Sequence, residues 1–196
     1  MRQNIEIEFK NILTKKEYVR LLNAFDIKEE QIFSHENYYF DTPDFDLKKV
    51  GSALRIRKKK ECFELTLKQP SNLGLLETTQ TLTSDEAIQA IQYNQLPSGK
   101  IKDIIEELNI PYSNIVYFGL LKTNRVEINY LNGLLVLDYS SYLGKEDFEI
   151  ELEVDNYSEG KEIFKKLLQY YEIPLRKTEN KIQRFYNQKY QKGKTS

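Results

Sequence analysis

Two segments near opposite ends of the sequence carry charged residues at every second position. Residues 5–10 place Glu6, Glu8 and Lys10 between apolar neighbours, and residues 148–154 do the same with three glutamates. A period of two is typical of a β-strand, so each segment predicts a strand with one apolar and one charged face. Carboxylate oxygens in such a row are the ligands that hard divalent cations such as Mg²⁺ prefer.

Basic side chains occupy the polar faces of further alternating segments. Arg55 and Arg57 alternate with apolar neighbours in one segment, and Lys68 lies on the polar face of the next. Arginine makes forked contacts with phosphate oxygens, so these positions suit a polyanion. The charged residues on all the alternating faces are Glu6, Glu8, Lys10, Arg55, Arg57, Lys68, Glu77, Arg125, Glu127, Asp138, Glu149, Glu151 and Glu153. Carboxylates together with cationic side chains indicate a site for a metal ion and a phosphate.

The elements that must position these residues are mostly strands. Alternating hydropathy predicts strands at 3–13, 31–40, 53–57, 62–68, 75–83, 115–122, 125–131, 134–139 and 147–154. Apolar residues at helical spacing predict helices at 15–26, between Ser84 and Pro97, and at 101–108, 158–171 and 179–189. Thr14 and Glu17 have the spacing of a capping box, and Ser84 is the predicted N-cap of the helix that follows it. Asn132-Gly133 predicts a tight hairpin turn. This order predicts an α+β fold.

The charged strand faces allow two interpretations. If the apolar faces pack outward against helices, the charged faces converge inside a closed barrel, which also removes unpaired strand edges. Charges of both signs in such an interior need ion pairing, water or a ligand of matched charge. The alternative is ordinary surface charge on an α+β domain, and alternation by itself does not decide between the two.

Composition and charge limit the classes of protein to which the chain can belong. Its 196 residues and 40% hydrophobic content suit one domain, predicted over residues 1–190 with a flexible tail at 191–196. The net charge of -1 gives no basic field for nucleic acid. The single cysteine excludes an internal disulfide, and no apolar run reaches the length of a membrane span. These features predict a cytoplasmic protein with neither a membrane nor a nucleic-acid partner.

Sequence blocks spread over nearly the whole chain resemble, in order, the motifs of the CYTH family, also called triphosphate tunnel metalloenzymes. The blocks are Glu6-x-Glu8-x-Lys10, Tyr39-Phe40-Asp41-Thr42-Pro43, Leu54-Arg55-Ile56-Arg57, Leu65-Thr66-Leu67-Lys68, Glu77, Arg125, Asp138 and Glu149-x-Glu151-x-Glu153. One such block is a weak signal, whereas the ordered set is specific. The resemblance implies an eight-stranded antiparallel β-barrel, the triphosphate tunnel, with flanking helices.

The same resemblance implies a role for each charged residue. The triphosphate would be bound by Lys10, Arg55, Arg57, Lys68, Arg125 and a late lysine, either Lys177 or Lys181. The metal, Mg²⁺ or Mn²⁺, would be held by Glu6, Glu8, Asp138 and members of the row Glu149, Glu151 and Glu153. Glu77 would support the tunnel, and Glu6, Glu8 and Lys10 are the predicted catalytic residues.

The activity that the resemblance implies is metal-dependent hydrolysis of a small triphosphate. Inorganic tripolyphosphate is the first candidate substrate. Three alternatives stay open: a thiamine triphosphatase, a class IV-type adenylyl cyclase, and a module that binds polyphosphate or nucleotides without turnover. The expected partner is a small-molecule triphosphate, and the expected state is a monomer or a homodimer.

Overall fold

Eight strands, counted over the described residues, close an antiparallel barrel in the computed structural model. The structure describes residues 1–72 and 74–193, with side chains as far as Tyr190. The strands are β1 (Arg2–Leu13), β2 (Phe33–Asp41), β3 (Ala53–Lys59), β4 (Cys62–Ser71), β5 (Gly74–Leu82), β6 (Val116–Tyr130), β7 (Gly133–Tyr142) and β8 (Lys145–Val154). Their order around the barrel is β1-β5-β4-β3-β2-β6-β7-β8.

Six α-helices of the described chain flank the strands, so the predicted class, an eight-stranded antiparallel barrel of the α+β type, is confirmed. The helices are α1 (Lys15–Ala24), α2 (Asp46–Lys49), α3 (Ser84–Tyr93), α4 (Lys100–Glu107), α5 (Tyr157–Tyr170) and α6 (Lys181–Gly193), with 3₁₀ turns at Glu29–Gln31 and Tyr112–Asn114. The predicted tail overlaps the end of α6, and residues 194–196 lie outside the described residues. None of the described helices is long and apolar enough to cross a membrane.

Two local predictions need correction, and one short helix was not predicted. The segments 115–122 and 125–131 form the single strand β6, because the polar Thr123 between them is buried and shares a hydrogen bond with Ser140. Ser84 is not the N-cap of the helix α3; the N-cap is Thr83 and Ser84 is the first helical residue. The short helix α2 was not predicted. This helix forms beside the buried Asp41, whose carboxylate accepts hydrogen bonds from the backbone amides of Leu47 and Lys48 in α2.

The hairpin between β6 and β7 is confirmed, but its turn is one residue earlier than predicted. Tyr130 pairs with Gly133, so Leu131 and Asn132 form the turn, and Leu131 has a φ of 50°. Gly133 begins β7 because a Cβ at this position would lie 2.6 Å from the backbone oxygen of Glu153. The glycine is therefore needed for close packing against β8 rather than for the turn itself.

The chain divides into two compact units, each with its own hydrophobic core. The first comprises Met1–Ile5 with His35–Leu121, and the second Glu6–Ser34 with Lys122–Ser196. In the first unit, the apolar faces of β3 and β4 pack with α3 and α4 around buried Leu54, Leu65 and Ile105. The prediction of a single domain over 1–190 stays a prediction.

In the second unit, β8 has both of its faces buried from Glu149 to Leu152. On β8, Ile150 and Leu152 pack with the buried apolar residues of α5, while the alternating Glu149 and Glu151 are only 1% and 5% exposed. A buried glutamate needs a charge partner, because an unpaired carboxylate loses its hydration without compensation. Ordinary surface charge is therefore excluded for this strand.

Gly160 lies where α5 contacts β1 and β8. A Cβ there would overlap Val154 and lie 2.9 Å from Phe9 Cε2. We expect Gly160→Ala to lower the free energy of unfolding by about 1–2 kcal/mol, since overpacking outweighs the gain in helix propensity. Urea denaturation measures this, with Lys165→Ala at an exposed position of α5 as the control. An unchanged or increased stability of Gly160→Ala would contradict this packing.

Candidate functional site

The charged faces of β6, β7 and β8 meet at Arg125 in the second unit. Its Nε lies 2.8 Å from Asp138 Oδ1, and its Nη2 lies 2.7 Å from Asp138 Oδ2 and 3.0 Å from Glu151 Oε2. Arg125 and Asp138 are direct cross-strand partners, and all three residues are buried. Burial alone would lower the pKa of Arg125, but the charges of Asp138 and Glu151 raise it well above its ordinary value. The guanidinium is therefore a fixed positive charge.

A second cation, the ammonium of Lys181, joins the same carboxylates from the start of α6. Its Nζ lies 2.8 Å from Asp138 Oδ2, 3.0 Å from Glu149 Oε2 and 2.5 Å from Glu151 Oε1. Burial would raise the pKa of Glu151, but Lys181 and Arg125 hold it well below its ordinary value. These three carboxylates, with Arg125 and Lys181, are called the ionic cluster below.

The two candidate late lysines occupy different surroundings. Lys181 belongs to the ionic cluster, whereas Lys177 is exposed in the segment 174–180 that precedes α6. The geometry therefore favours Lys181 as the lysine near the predicted metal ligands.

Sequence reasoning did not identify Arg184 and Asp147, which extend the ionic cluster. Arg184 donates to Asp147 Oδ2 at 2.9 Å and to Glu149 Oε2 at 2.6 Å, and Tyr142 donates its hydroxyl to Asp147. Two signals could have found them. Arg184 lies three residues after Lys181, on the same side of a helix, and Asp147 continues the alternation of the glutamates on β8.

Carboxylates crowd together where β1 pairs with β8. Glu8 lies opposite Glu153, and Lys10 lies opposite Glu151. The pKa of Glu153 is raised to about 7, first by burial and then by the charges of Glu6, Glu151 and Glu8. Lys10 contacts Glu8 and also donates to Asn180. Since like charges repel, a cation placed among these carboxylates would relieve this crowding.

The donor set of the second unit fits a hard divalent cation. All the predicted ligands are carboxylates, and Glu149 Oε1 is buried and makes no hydrogen bond among the described residues. No group of three or more His, Cys, Asp or Glu residues in the described chain has its atoms arranged to hold a metal. The oxygens of Asp138 and Glu151 instead contact Arg125 and Lys181.

The predicted phosphate-binding residues of the first unit lie on β3 and β4. Arg57 donates to Asn37 Oδ1 at 3.0 Å, and Lys68 pairs with its cross-strand partner Glu77. The Nε of Arg55 is buried and has no hydrogen-bond acceptor among the described residues. A buried guanidinium donor without an acceptor is costly, so this atom indicates an anionic ligand.

Hydrogen bonds join the segment 174–180, which precedes Lys181, to β1. Arg176 N donates to Asn11 Oδ1 at 2.6 Å, and Ile12 N donates to Thr178 Oγ1 at 2.8 Å. The Arg176 guanidinium also makes a forked contact with Glu17, at 2.8 and 2.9 Å. These bonds fix the position of the residues before α6.

The ion pair of Arg176 and Glu17 should make the free energy of unfolding depend on pH. The hydrogen bond from Arg176 lowers the pKa of Glu17 from 4.5 to about 2 in the folded chain. The stabilisation is therefore complete above about pH 4.5 and is lost as the pH falls toward 2. We expect Arg176→Met to cost about 2 kcal/mol at pH 6 and much less at pH 2.5, allowing for solvent screening of this half-buried pair.

Urea denaturation of the wild type and Arg176→Met at the two pH values measures this difference. Lys28→Met, which removes an exposed ion pair with Asp26, is the control and should change stability little at either pH. An equal cost of Arg176→Met at both pH values would contradict the assigned pairing.

Comparison with known proteins places this barrel and its charged strands in a family. The sequence profile of the CYTH domain matches residues 4–186. A protein of Bacillus subtilis (strain 168) named "Putative triphosphatase YjbK" is 47% identical over 189 residues, which are 96% of this chain and 98% of the relative. The chain therefore belongs to the CYTH domain family, and the predicted membership is confirmed.

Solved structures agree with this assignment. A "putative adenylate cyclase" from Bacillus halodurans is 46% identical, with a TM-score of 0.92 covering 95% of this chain and 100% of that chain. A Hippeastrum protein named as the putative adenylyl cyclase HpAC1, with a dominant triphosphatase activity, is 22% identical, with a TM-score of 0.74 over 93% of this chain and 96% of its own. The latter likeness shows the fold alone.

Proposed function

We propose that the protein is a metal-dependent triphosphatase that hydrolyses a small triphosphate, with inorganic tripolyphosphate as the first candidate substrate. The observation that carries this proposal is the ionic cluster, in which three buried carboxylates converge with the two cations Arg125 and Lys181. Membership of the CYTH family and the name of the Bacillus subtilis relative support the same activity.

The proposed metal ligands are six carboxylates on β1, β7 and β8, all in the second unit. They are Glu6, Glu8, Asp138, Glu149, Glu151 and Glu153. Bound Mg²⁺ or Mn²⁺ would neutralise charge on the phosphate oxygens and orient water toward the terminal phosphorus. The orphaned Glu149 Oε1 and the crowding that raises the pKa of Glu153 to about 7, through burial and neighbouring carboxylates, both favour a cation here.

Arg125 can bind phosphate without leaving its carboxylate partners. Its Nε and Nη2 are held by Asp138 and Glu151, whereas its Nη1 lies 4.0 Å from Glu127 Oε1, which is beyond hydrogen-bond distance. The Nη1 hydrogens are thus the donors that this guanidinium can offer to a phosphate oxygen. Positioning by fixed charges is the main protein contribution to phosphoryl transfer.

The remaining predicted basic residues are assigned to phosphate binding on family grounds. They are Lys10 in the second unit and Arg55, Arg57 and Lys68 in the first. The unpaired, buried Nε of Arg55 supports its assignment. A small triphosphate is the only partner that this proposal requires. The cytoplasmic location and the monomeric or homodimeric state stay predictions.

Adenylyl cyclisation is the second candidate, favoured by the name of the Bacillus halodurans relative. The two activities differ in product. We expect the purified protein with Mg²⁺ or Mn²⁺ to release orthophosphate from tripolyphosphate, and thiamine triphosphate and ATP serve as comparison substrates. Cyclic AMP from ATP, without phosphate release from tripolyphosphate, would establish the cyclase instead. Tight triphosphate binding with no product would indicate a binding module.

A further inference from the structure

The ammonium of Lys181 is bound in the way that a metal ion is bound. An ammonium has three N–H donors, and Lys181 Nζ has one carboxylate oxygen within 3.0 Å on each of Asp138, Glu149 and Glu151. The side chain is 13% exposed. With every donor directed to a carboxylate, Lys181 has none left for a phosphate oxygen. In this arrangement it cannot perform the phosphate-binding role that its position implies.

The carboxylates do not depend on Lys181 for their placement. Arg125 holds Asp138 through two hydrogen bonds and Glu151 through a third. Arg184 holds Glu149 from the other side, at 2.6 Å. The three carboxylates would therefore stay close together if the ammonium left, and small side-chain adjustments would let their oxygens bind another cation.

Lys181 can leave without unfolding its helix. It is the first residue of α6, directly after the segment 174–180, which has no regular structure. Arg184, one turn later, keeps its own bonds to Asp147 and Glu149, and the buried Phe185 packs on Tyr142 with ring centroids 5.6 Å apart. A change of side-chain rotamers with a small shift of the first turn is enough.

We propose that the Lys181 ammonium and a divalent cation are alternative occupants of the oxygens of Asp138, Glu149 and Glu151. Binding of the metal displaces the ammonium, and the displaced ammonium becomes able to bind a phosphate oxygen. This proposal rests on the metal site of the proposed function. By linkage, metal binding and triphosphate binding at Lys181 then strengthen each other, since each removes the internal ion pairs that oppose the other.

The test measures Mn²⁺ binding without any substrate. Isothermal titration of Lys181→Met should give a dissociation constant lower than that of the wild type by about tenfold or more, since no ion pairs have to be broken. Lys177→Met, which removes an exposed lysine four residues earlier, is the matched control and should bind as the wild type does.

Equal or weaker Mn²⁺ binding by folded Lys181→Met would overturn the competition between the ammonium and the metal, while leaving the metal site intact. Absence of Mn²⁺ binding in both proteins would overturn the metal site as well. A second measurement uses the wild type alone, in case Lys181→Met does not fold. Added Mn²⁺ should speed hydrogen exchange of the Arg184 backbone amide, which donates to Asn180 O at 3.1 Å, and unchanged or slower exchange there would contradict displacement.

Discussion

Replacing Glu6 or Glu8 by alanine is expected to lower the rate of tripolyphosphate hydrolysis by at least about 10³-fold, because charge stabilisation by a bound metal is worth several kcal/mol. The fold should survive, since Glu8 lies opposite Glu153 and removal of one carboxylate relieves repulsion between them. Phosphate release at saturating Mg²⁺ measures the first effect, and urea denaturation the second.

Glu162→Ala provides the control for these variants, because it removes an exposed carboxylate of α5 in the same unit. It should be as active as the wild type. Full activity in either Glu6→Ala or Glu8→Ala would refute the assignment of β1 to the metal site. Loss of activity together with loss of folding would show a structural role instead.

Arg125→Met should cost about 3–5 kcal/mol of unfolding free energy, the typical result of removing one partner of a buried ion pair. Asp138 is 0% exposed and would lose both of its hydrogen bonds from the guanidinium. Arg125→Lys should cost less, since it keeps the charge but loses the forked geometry. Asn129→Ala, at an exposed position of the same strand, should change stability by less than about 0.5 kcal/mol.

Arg125→Met should also abolish turnover at temperatures where this variant is still folded, because it removes the proposed phosphate donor. Near-native stability of Arg125→Met would contradict the ionic cluster as described. Native turnover in the folded variant would contradict phosphate binding by this residue while leaving its structural role intact.

The charged residues on the strands could be predicted because strand periodicity determines which side chains share a face. Glu149 and Glu151 were predicted ligands, and in the structure they are buried beside Arg125. Sequence periodicity could not distinguish an exposed face from a buried one. The side chain of Glu149 is only 1% exposed, which shows that the charged face of β8 is buried there.

Residues that reach the site from outside the strands could not be predicted with the same reliability. Lys177 and Lys181 differ by four positions, about one helical turn, and their roles depend on where α6 begins. That start is set by contacts distant in sequence, such as Thr178 with Ile12 and Arg176 with Glu17. Arg184 was missed for the same reason, because its carboxylate partners lie on a strand more than 30 positions earlier.

Phosphate release from tripolyphosphate tests most directly whether the protein is a metal-dependent triphosphatase. The purified wild-type protein is assayed with Mg²⁺ or Mn²⁺, with excess EDTA, and beside Glu8→Ala. Phosphate release should require the metal, stop with EDTA and be absent in the variant. Phosphate release that continues in EDTA, or none at all from folded wild-type protein with either metal, would contradict this activity.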